Sequence, residues 1–510
     1  MKLMIPFDCT RLIFAILYIA SFAATILFPN LYCANHIAIL AVLAILTLII
    51  VYRNRIHQNI FRDALLIAAT TGLIEGCIGL FRVGYLPTIT GTFDNPTLYA
   101  MAVSLSVPAL LYFLNCNNKI VRYLIYICFA VLFVAIVLSE SRTGILCMCM
   151  AGLFQLKRIC KINFRYFAGI CAILITLLLL FMLCSKKDST TGRSFILSQS
   201  FEMIKDKPFG WGQNGFAKHY MDYQADFFRQ NSDEKYAYLA DNIRHPLNEF
   251  VLVTINWGII GLLLMLWFVS AITVWIYKKQ IKEKGVILLF IFMLCLWALF
   301  AYPSTLPFVG LFAVVYFFPL LYDRLCRISQ YAYILTIVGA SAIVCTIIDC
   351  KYRHEWEKGV TLCKQGKYEE SLLAMARIED HYKDDDDFLY SYATVLYNYS
   401  LYEQTISVLQ RYKEHRTSYG AQLMLANSYM YTNQLVDAEK AYITAHHMCP
   451  VRFIPLYNLF KIYKQIGDIK SLRRIGNQIL SKEIKVYSPE IEIIRHNTEV
   501  ELQRLSQHEN

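Results

Sequence analysis

The stretch "DNIRHPLNEFVLVTINWGIIGLLLML", from Asp241 to Leu266, places charged and polar residues directly before a long apolar run. That run continues to about residue 277, and a membrane-spanning helix needs roughly 20 such residues. Of the 510 residues, 57% are hydrophobic and 17% are charged, which lies outside the range of ordinary soluble proteins. The composition therefore predicts a polytopic membrane protein.

Eleven apolar segments have about the length of a membrane span. They lie at about residues 11–28, 36–52, 63–81, 97–114, 120–138, 143–156, 166–184, 247–277, 286–302, 306–322 and 331–349. The C-terminal residues, 350–510, are rich in charged residues and tyrosine. We therefore predict an all-α protein with a helical membrane bundle at 1–349 and a soluble helical domain at 350–510.

Basic residues indicate which side of the membrane each loop faces. The net charge of +11 is spread in short groups between apolar runs, which favours topology signals over a nucleic-acid-binding patch. With a cytoplasmic N terminus, these groups fall in cytoplasmic loops: Arg53, Arg55, Arg62, Lys119, Arg122, Lys157, Arg158, the segment "YKKQIKEK", Arg324 and Arg327. The large loop at 185–246 and the C-terminal domain are then predicted to face outward.

The sixteen cysteines show no pattern of a metal or redox site. Most lie within or beside apolar runs, and no CxxC pair or Cys/His metal spacing occurs. We interpret them as packing residues and predict no metal site.

The C-terminal domain contains an internal repeat. Aligning four of its segments places Tyr368, Tyr402, Leu435 and Ile469 at successive separations of 34, 33 and 34 residues. This period resembles that of the tetratricopeptide repeat, a stack of helix pairs whose surface binds partner proteins. The acidic run from Asp384 to Asp387 is interpreted as a solvated turn between helices rather than a metal site.

Four arginines lie on the outward side, where the orientation rule does not require positive charge: Arg82, Arg142, Arg193 and Arg244. A guanidinium stays protonated and pairs two oxygens at once, which suits phosphate and diphosphate. Each arginine also has an ordinary interpretation as an interfacial anchor, and Arg142 as an ion-pair partner of Glu140.

His245 follows Arg244 at the start of the eighth apolar segment. A histidine can serve as a base near neutral pH, but an isolated interfacial histidine is often structural. Asn248 and Glu249 lie within one helical turn, where they either orient the imidazole or cap the span. Glu75, inside the third segment, is expected to face the interior of the bundle.

Four stretches together resemble the superfamily of O-antigen ligases, O-antigen polymerases and bacterial O-oligosaccharyltransferases. They are "GTFDNPTLYAMAVSLSVPALLY" (91–112), "SESRTGIL" (139–146), "GRSFILSQSFEMIKDKPFGWGQNGF" (192–216) and "RHPLNEFVLVTINWGIIGLLL" (244–264). The chain departs from the family in one respect. The family places its histidine immediately before asparagine, whereas Leu247 precedes Asn248 here and His245 stands three residues ahead of it.

The resemblance implies a membrane glycosyltransferase of the bacterial inner membrane, with the large loop and the C-terminal domain in the periplasm. It would move a glycan from an undecaprenyl-diphosphate carrier to an acceptor hydroxyl on a lipid or a protein, without an essential metal. Arg142 and Arg193 would bind the diphosphate, Arg244 would add a contact to it, and His245 would accept the proton. Supporting roles fall to Asn95, Ser141, Asn248 and Glu249.

Three alternatives remain open from the sequence. A polymerase that joins repeat units would use nearly the same chemistry, because motifs do not reveal the acceptor. A non-enzymatic membrane scaffold would use the repeats to recruit envelope proteins, and a transporter would use the membrane bundle. Neither of the last two requires the outward arginines or His245.

Overall fold

The computed structural model describes residues 58–84, 88–160, 187–231, 234–278, 284–327 and 332–507, with a few isolated positions besides. Within these ranges the fold consists of nineteen α-helices and two short 3-10 turns, and no β-strand occurs there. The all-α prediction is confirmed. The predicted spans at 11–28, 36–52 and 166–184 lie outside the continuously described residues.

The helices are numbered here in chain order. The first eleven are α1 Gln58–Phe81, α2 Pro96–Tyr112, α3 Lys119–Leu138, α4 Arg142–Ile159, α5 Lys187–Asp206, α6 Gly215–Gln230, α7 Glu234–Leu239, α8 Glu249–Lys278, α9 Lys284–Phe300, α10 Pro307–Arg327 and α11 Ala332–Lys364. The others are α12 Tyr368–Ala376, α13 Asp386–Asn398, α14 Tyr402–His415, α15 Tyr419–Tyr431, α16 Leu435–Met448, α17 Ile454–Ile466, α18 Ile469–Ser481 and α19 Pro489–Gln507.

The remaining eight predicted apolar segments each coincide with a helix: α1 to α4 and α8 to α11. Among the described residues, four segments are long and apolar enough to cross a membrane: Arg62–Phe81, Pro96–Asn115, Lys119–Leu138 and Glu249–Lys278. The total of eleven spans stays a prediction.

The chain divides by its contacts into two units. The first comprises Met1–Ser185, Leu247–Glu249 and Met265–Arg353, and the second comprises Lys186–Pro246, Phe250–Leu264 and His354–Asn510. The large loop is therefore part of the same unit as the repeats.

Helix α2 forms the centre of the first unit. Thirteen of its residues are buried, and α1, α3, α4, α9 and α10 pack around it. Close approach of α1 depends on small residues, because a Cβ at Gly72 would overlap Ser106 and one at Gly79 would overlap Tyr99. Small residues at helix contacts are typical of membrane bundles, where backbones approach closely.

A proline interrupts α2, and a tyrosine hydroxyl repairs the interruption. Pro108 lies inside the helix. The Tyr316 hydroxyl accepts a hydrogen bond from the Ala109 amide at 2.9 Å and donates one to the Leu105 carbonyl at 2.8 Å. These are the two backbone groups that an unbroken helix would pair with each other. Tyr316 thus satisfies both groups in the buried core.

Helix pairs at the predicted period build the C-terminal part of the second unit. Tyr368, Tyr402, Leu435 and Ile469 are the first residues of α12, α14, α16 and α18, which are the second helices of successive pairs. Neighbouring helices pack in sequence order from α12 to α19. The repeat is therefore a repeat of helix pairs, while its assignment to the tetratricopeptide family stays a prediction.

Helix α8 is broken at Gly258, which has φ 70° and ψ −172°. The segment Pro208–Gly212 crosses this break, because the Trp211 amide donates to the Ile255 carbonyl at 2.8 Å and the Ile259 amide donates to the Pro208 carbonyl at 3.0 Å. A Cβ at Gly258 would overlap the backbone of Phe209. The position therefore requires glycine both for its backbone conformation and for space.

Candidate functional site

The loop before α2 is fixed to α1 by two charged side chains. Glu75 is fully buried, and its carboxylate accepts hydrogen bonds from the Thr92 amide at 2.7 Å and the Thr92 hydroxyl at 3.1 Å. Arg82 donates to the Gly91 carbonyl. Asn95 caps α2, since its side-chain oxygen accepts from the Thr97 amide at 2.7 Å. Asn95 and Glu75 thus shape this loop.

Arg142 is the first residue of α4 and is half-buried. Ser141 caps this helix, accepting a hydrogen bond from the Gly144 amide at 3.4 Å. Glu140, just before the cap, has a φ of 54°, so the chain turns sharply into the helix. A helix N terminus carries partial positive charge, and the guanidinium adds a full charge. Arg142 thus stands at the N terminus of α4, two residues after the Glu140 carboxylate.

Asn248 and Glu249 hold the start of α8 within the first unit. The Asn248 amide donates to the Leu299 carbonyl at 3.1 Å, and Ser304 donates through its hydroxyl to the Glu249 carboxylate. Leu247, which stands where the family has histidine, adopts a φ of 56°. Asn248 and Glu249 thus attach the start of the span to the α9–α10 region.

Arg193 lies on α5 in the second unit. That helix is held by an aromatic cluster, in which the Phe195 ring packs against Phe228 at 5.4 Å and stacks on Tyr236 at 5.0 Å between centroids. Phe195 is only 2% exposed. The backbone that carries Arg193 is therefore fixed against α6 and α7.

Arg244 takes part in an ion-pair cluster with Asp386, Asp387 and Arg416. Its Nη2 lies 2.9 Å from Asp387 Oδ2 and 3.9 Å from Asp386 Oδ2. Arg416 Nη1 lies 3.3 Å from an oxygen of each of the same two carboxylates. Two cations and two anions therefore compensate each other, and the Arg244 charge is matched within the protein.

The acidic run forms the start of α13. Asp385 caps the helix through a hydrogen bond from the Phe388 amide, and Asp386 and Asp387 follow in its first turn. The run lies at a turn between helices as predicted, but Asp386 and Asp387 form ion pairs there instead of being merely solvated. Among the described residues, no group of three or more potential ligands could hold a metal ion.

His245 is half-buried next to this cluster in the chain. Burial, followed by the positive charges of Arg244 and Arg416, lowers the pKa of His245 to about 4. The imidazole is therefore neutral at pH 7 and able to accept a proton. Its low pKa also makes it a weak base in the absence of a bound anion.

Further hydrogen bonds fasten the large loop to the repeat helices. Gln224 on α6 is fully buried and donates to the Met448 carbonyl at 2.6 Å and to the Asp241 carbonyl at 3.0 Å. The Thr417 amide donates to the Ala217 carbonyl at 3.0 Å. Helix α6 packs on α14 and α16, the second helices of two pairs. This surface of the repeats is therefore occupied by the protein's own loop.

The predicted site residues fall in both units. Asn95, Ser141, Arg142, Asn248 and Glu249 belong to the first unit. The second contains Arg193, Arg244 and His245. The sequence did not predict that Asp386 and Asp387 pair with Arg244 and Arg416. These residues are far from Arg244 in the chain.

Most of these residues lie in a region that is similar to a known protein family. Residues 127–266 match the family model described as O-Antigen ligase. The chain is therefore similar to O-antigen ligases over this segment. The match runs from α3 into α8 and includes Arg142, Arg193, Arg244 and His245. No curated protein matches the chain.

The family match and the apolar helices together establish the general character of the protein. The apolar helices indicate a multi-pass membrane protein, and residues 127–266 resemble glycan-handling membrane enzymes of the O-antigen ligase or polymerase type. The match does not include the repeat domain, residues 350–510.

Proposed function

We propose that this protein transfers a finished glycan from an undecaprenyl-diphosphate carrier to an acceptor hydroxyl on a lipid or a protein. The transfer takes place on the periplasmic side of the bacterial inner membrane. The observation that carries the proposal is the position of His245, which is half-buried, directly follows the ion-paired Arg244 and lies within the segment that matches O-antigen ligases.

In the proposed reaction the acceptor oxygen attacks the anomeric carbon of the glycan. The bond between that carbon and the diphosphate oxygen breaks, and the diphosphate leaves with the bonding electrons. His245 takes the hydroxyl proton, while Arg142 and Arg193 stabilise the charge that develops on the diphosphate. Guanidinium groups supply this stabilisation, so we expect no metal requirement.

Binding of the donor would also strengthen the base. The pKa of His245 is lowered partly by the nearby cations, and a diphosphate brings negative charge that offsets them. The pKa of His245 would then rise toward its ordinary value, near the pH at which the enzyme operates. General base catalysis is most effective when those two values are close.

Arg244 and Arg193 have different roles in the proposed reaction. Its guanidinium already pairs with Asp387 and Asp386. We therefore propose that Arg244 holds the His245 segment on the repeat domain and is not a principal ligand of the diphosphate. Arg193, on the helix that the Phe195 ring fixes against α6 and α7, supplies the diphosphate contact in the second unit.

The proposal is tested in a strain that lacks the gene. Complementation with wild type, Arg193→Ala or His245→Ala at matched protein level is followed by profiling of lipopolysaccharide and glycoproteins. The exposed residue His496 supplies the matched control, His496→Ala. We expect the control to restore glycan attachment and the two site variants to fail. Full restoration by both site variants would contradict the proposal.

The same profiles separate ligase from polymerase activity. Loss of all surface glycan attachment indicates a ligase. Loss of long chains with single-unit capping retained indicates a polymerase. Topology is checked by a reporter fused after Asn510, which we expect to report the periplasm; a cytoplasmic signal would contradict the proposed orientation.

A further inference from the structure

A cavity of about 460 Å³ lies between the loop helices α6 and α7 and the repeat helices α16 and α18. It is contained within the second unit. Its volume is within the range of clefts that bind small molecules, roughly 300–1,000 Å³. The lining residues on which the argument depends are Phe228, Asn231, Tyr238, His447, Gln478 and Ser481.

One side of the cavity is apolar and aromatic. Phe228 is held in place by the Phe195 ring, and Tyr238 is half-buried beside it. Lys485 lies 5.3 Å from the centre of the Tyr238 ring. An aromatic ring at the edge of an open cleft offers a flat surface on which an apolar face of a ligand can stack.

The polar groups of the cavity are mostly uncharged and can both donate and accept hydrogen bonds. They include the amides of Asn231 and Gln478, the Ser481 hydroxyl and the His447 imidazole. Gln478 Nε2 lies 3.4 Å from His446 Nε2, and His447 hydrogen-bonds to the Phe228 backbone. Asn231 Nδ2 also donates to the Phe227 carbonyl at 3.0 Å, and Ser481 Oγ donates to the Gln478 carbonyl at 3.4 Å. Protein contacts therefore orient all four groups, and their remaining acceptor and donor positions are available to a ligand.

The charges of the cavity do not favour a strong anion. The Lys482 ammonium already donates to the backbone carbonyls of Pro450 and Arg452, and Glu483 contributes a negative charge. Burial lowers the pKa of Lys482 to about 8 and that of His446 to about 3. Backbone carbonyls and Glu483 thus offset the Lys482 charge, and the Lys485 ammonium lies over the Tyr238 ring instead of in the polar part of the cavity.

We propose that this cavity is a glycan-binding site that holds one or two neutral sugar units. A pyranose presents an apolar face of C–H groups, which would stack on Tyr238, and a rim of hydroxyls that donate and accept. That combination matches the aromatic wall and the amides, hydroxyl and imidazole around it. The choice of glycan over other uncharged polar ligands rests on the proposed function, which supplies such chains.

The site spans the loop and the repeats, and its role would be to retain a long glycan during transfer. Asn231 and Tyr238 come from the loop, whereas Gln478 and Ser481 come from the repeat helix α18 and its end. A glycan bound here would contact both the large loop and the repeat helices. The site would therefore select donors or acceptors by their sugar composition.

The test uses the full-length protein in detergent and free neutral tetrasaccharides of hexoses and N-acetylhexosamines. Binding is measured by saturation-transfer NMR and by calorimetry. We expect wild type to bind at least one tetrasaccharide, and Tyr238→Ala and Gln478→Ala each to weaken that binding about ten-fold. Tyr487→Ala is the matched control, because Tyr487 is 64% exposed and lies outside the cavity.

Three results would overturn the site: no tetrasaccharide binds to wild type, the cavity variants bind as wild type does, or inorganic diphosphate competes for the site. The His245→Ala variant separates this inference from the proposed function. We expect it to bind the tetrasaccharide normally while losing transfer. Normal transfer by His245→Ala together with intact binding would reject the proposed function and leave the glycan site standing.

Discussion

Arg244 and Asp387 are 143 residues apart in the sequence, yet Arg244 Nη2 and Asp387 Oδ2 are 2.9 Å apart in the structure. Arg416 pairs with the same carboxylate. The segment that ends in His245 is thereby attached to the first turn of a repeat helix. The repeat domain thus acts as a support for the large loop within the second unit.

Removal of the carboxylate that holds Arg244 tests this support. We expect Asp387→Asn to reduce the free energy of unfolding by less than about 1 kcal/mol, because the pair is half-exposed to solvent. Glycan transfer should fall by up to about 100-fold, since small displacements of a base are costly. Thermal unfolding and a transfer assay measure the two effects.

The matched control is Asp437→Asn, an exposed carboxylate with a weak partner one turn away in the same domain. Asp437→Asn should change neither the free energy of unfolding nor the rate of glycan transfer. Equal transfer rates for Asp387→Asn and wild type would contradict the supporting role.

Arg416 should influence the protonation of His245. In the wild type, burial and two cations lower the pKa of His245 to about 4. Arg416→Gln removes one cation, so the pKa of His245 should rise toward 6.5. Because the neutral imidazole is the active form, the acidic limb of kcat/KM should move to higher pH.

NMR titration of labelled histidine measures that pKa directly, and the pH profile of kcat/KM measures its effect. Arg229→Gln serves as control, since Arg229 pairs with Asp226 instead. An unchanged acidic limb in Arg416→Gln would show that Arg416 does not act on the base.

The break in α8 should not tolerate a side chain at Gly258. Gly258→Ala would place a Cβ against the backbone of Phe209 at a φ of 70°. We expect a loss of about 1–3 kcal/mol in stability and faster proteolysis of the 207–215 segment. Gly310→Ala, which has open space around its Cβ, is the control. Equal protease resistance in both variants would contradict this role of the glycine.

Removal of divalent cations should leave the transfer rate unchanged. The proposed mechanism stabilises the diphosphate with Arg142 and Arg193, which keep their charge without a metal. An assay with purified protein in excess EDTA measures this. A rate that falls in EDTA and returns with Mg²⁺ would show that a metal shares the stabilising role.

Much of the fold follows from local sequence patterns. Apolar runs predicted the helices of the first unit, and the spacing of Tyr368, Tyr402, Leu435 and Ile469 predicted a repeat of helix pairs. The structure adds that each of these residues begins the second helix of its pair. Both patterns are periodic along the chain, so one sequence reveals them. Three of the four stretches that resemble the family lie within residues 127–266, which the O-Antigen ligase model matches, whereas the stretch at 91–112 precedes them.

The structural features that could not be predicted from the sequence depend on contacts between distant segments. The run from 247 to 277 looks like one continuous span, and nothing local marks Gly258 as the place where Pro208–Gly212 crosses it. Arg416 and Asp387 are ordinary surface residues until the loop folds onto the repeats. The pKa of His245 then depends on Arg416, which its own neighbourhood in the sequence does not reveal.

The most direct test of the central claim is glycan transfer by purified protein with His245→Ala and His245→Gln. The assay supplies an undecaprenyl-diphosphate-linked glycan and the natural acceptor, and it measures the single-turnover rate at saturating donor. Loss of the base should lower this rate by roughly 10² to 10⁴ while donor binding is retained. A rate within about two-fold of wild type for both variants would contradict the assignment of His245.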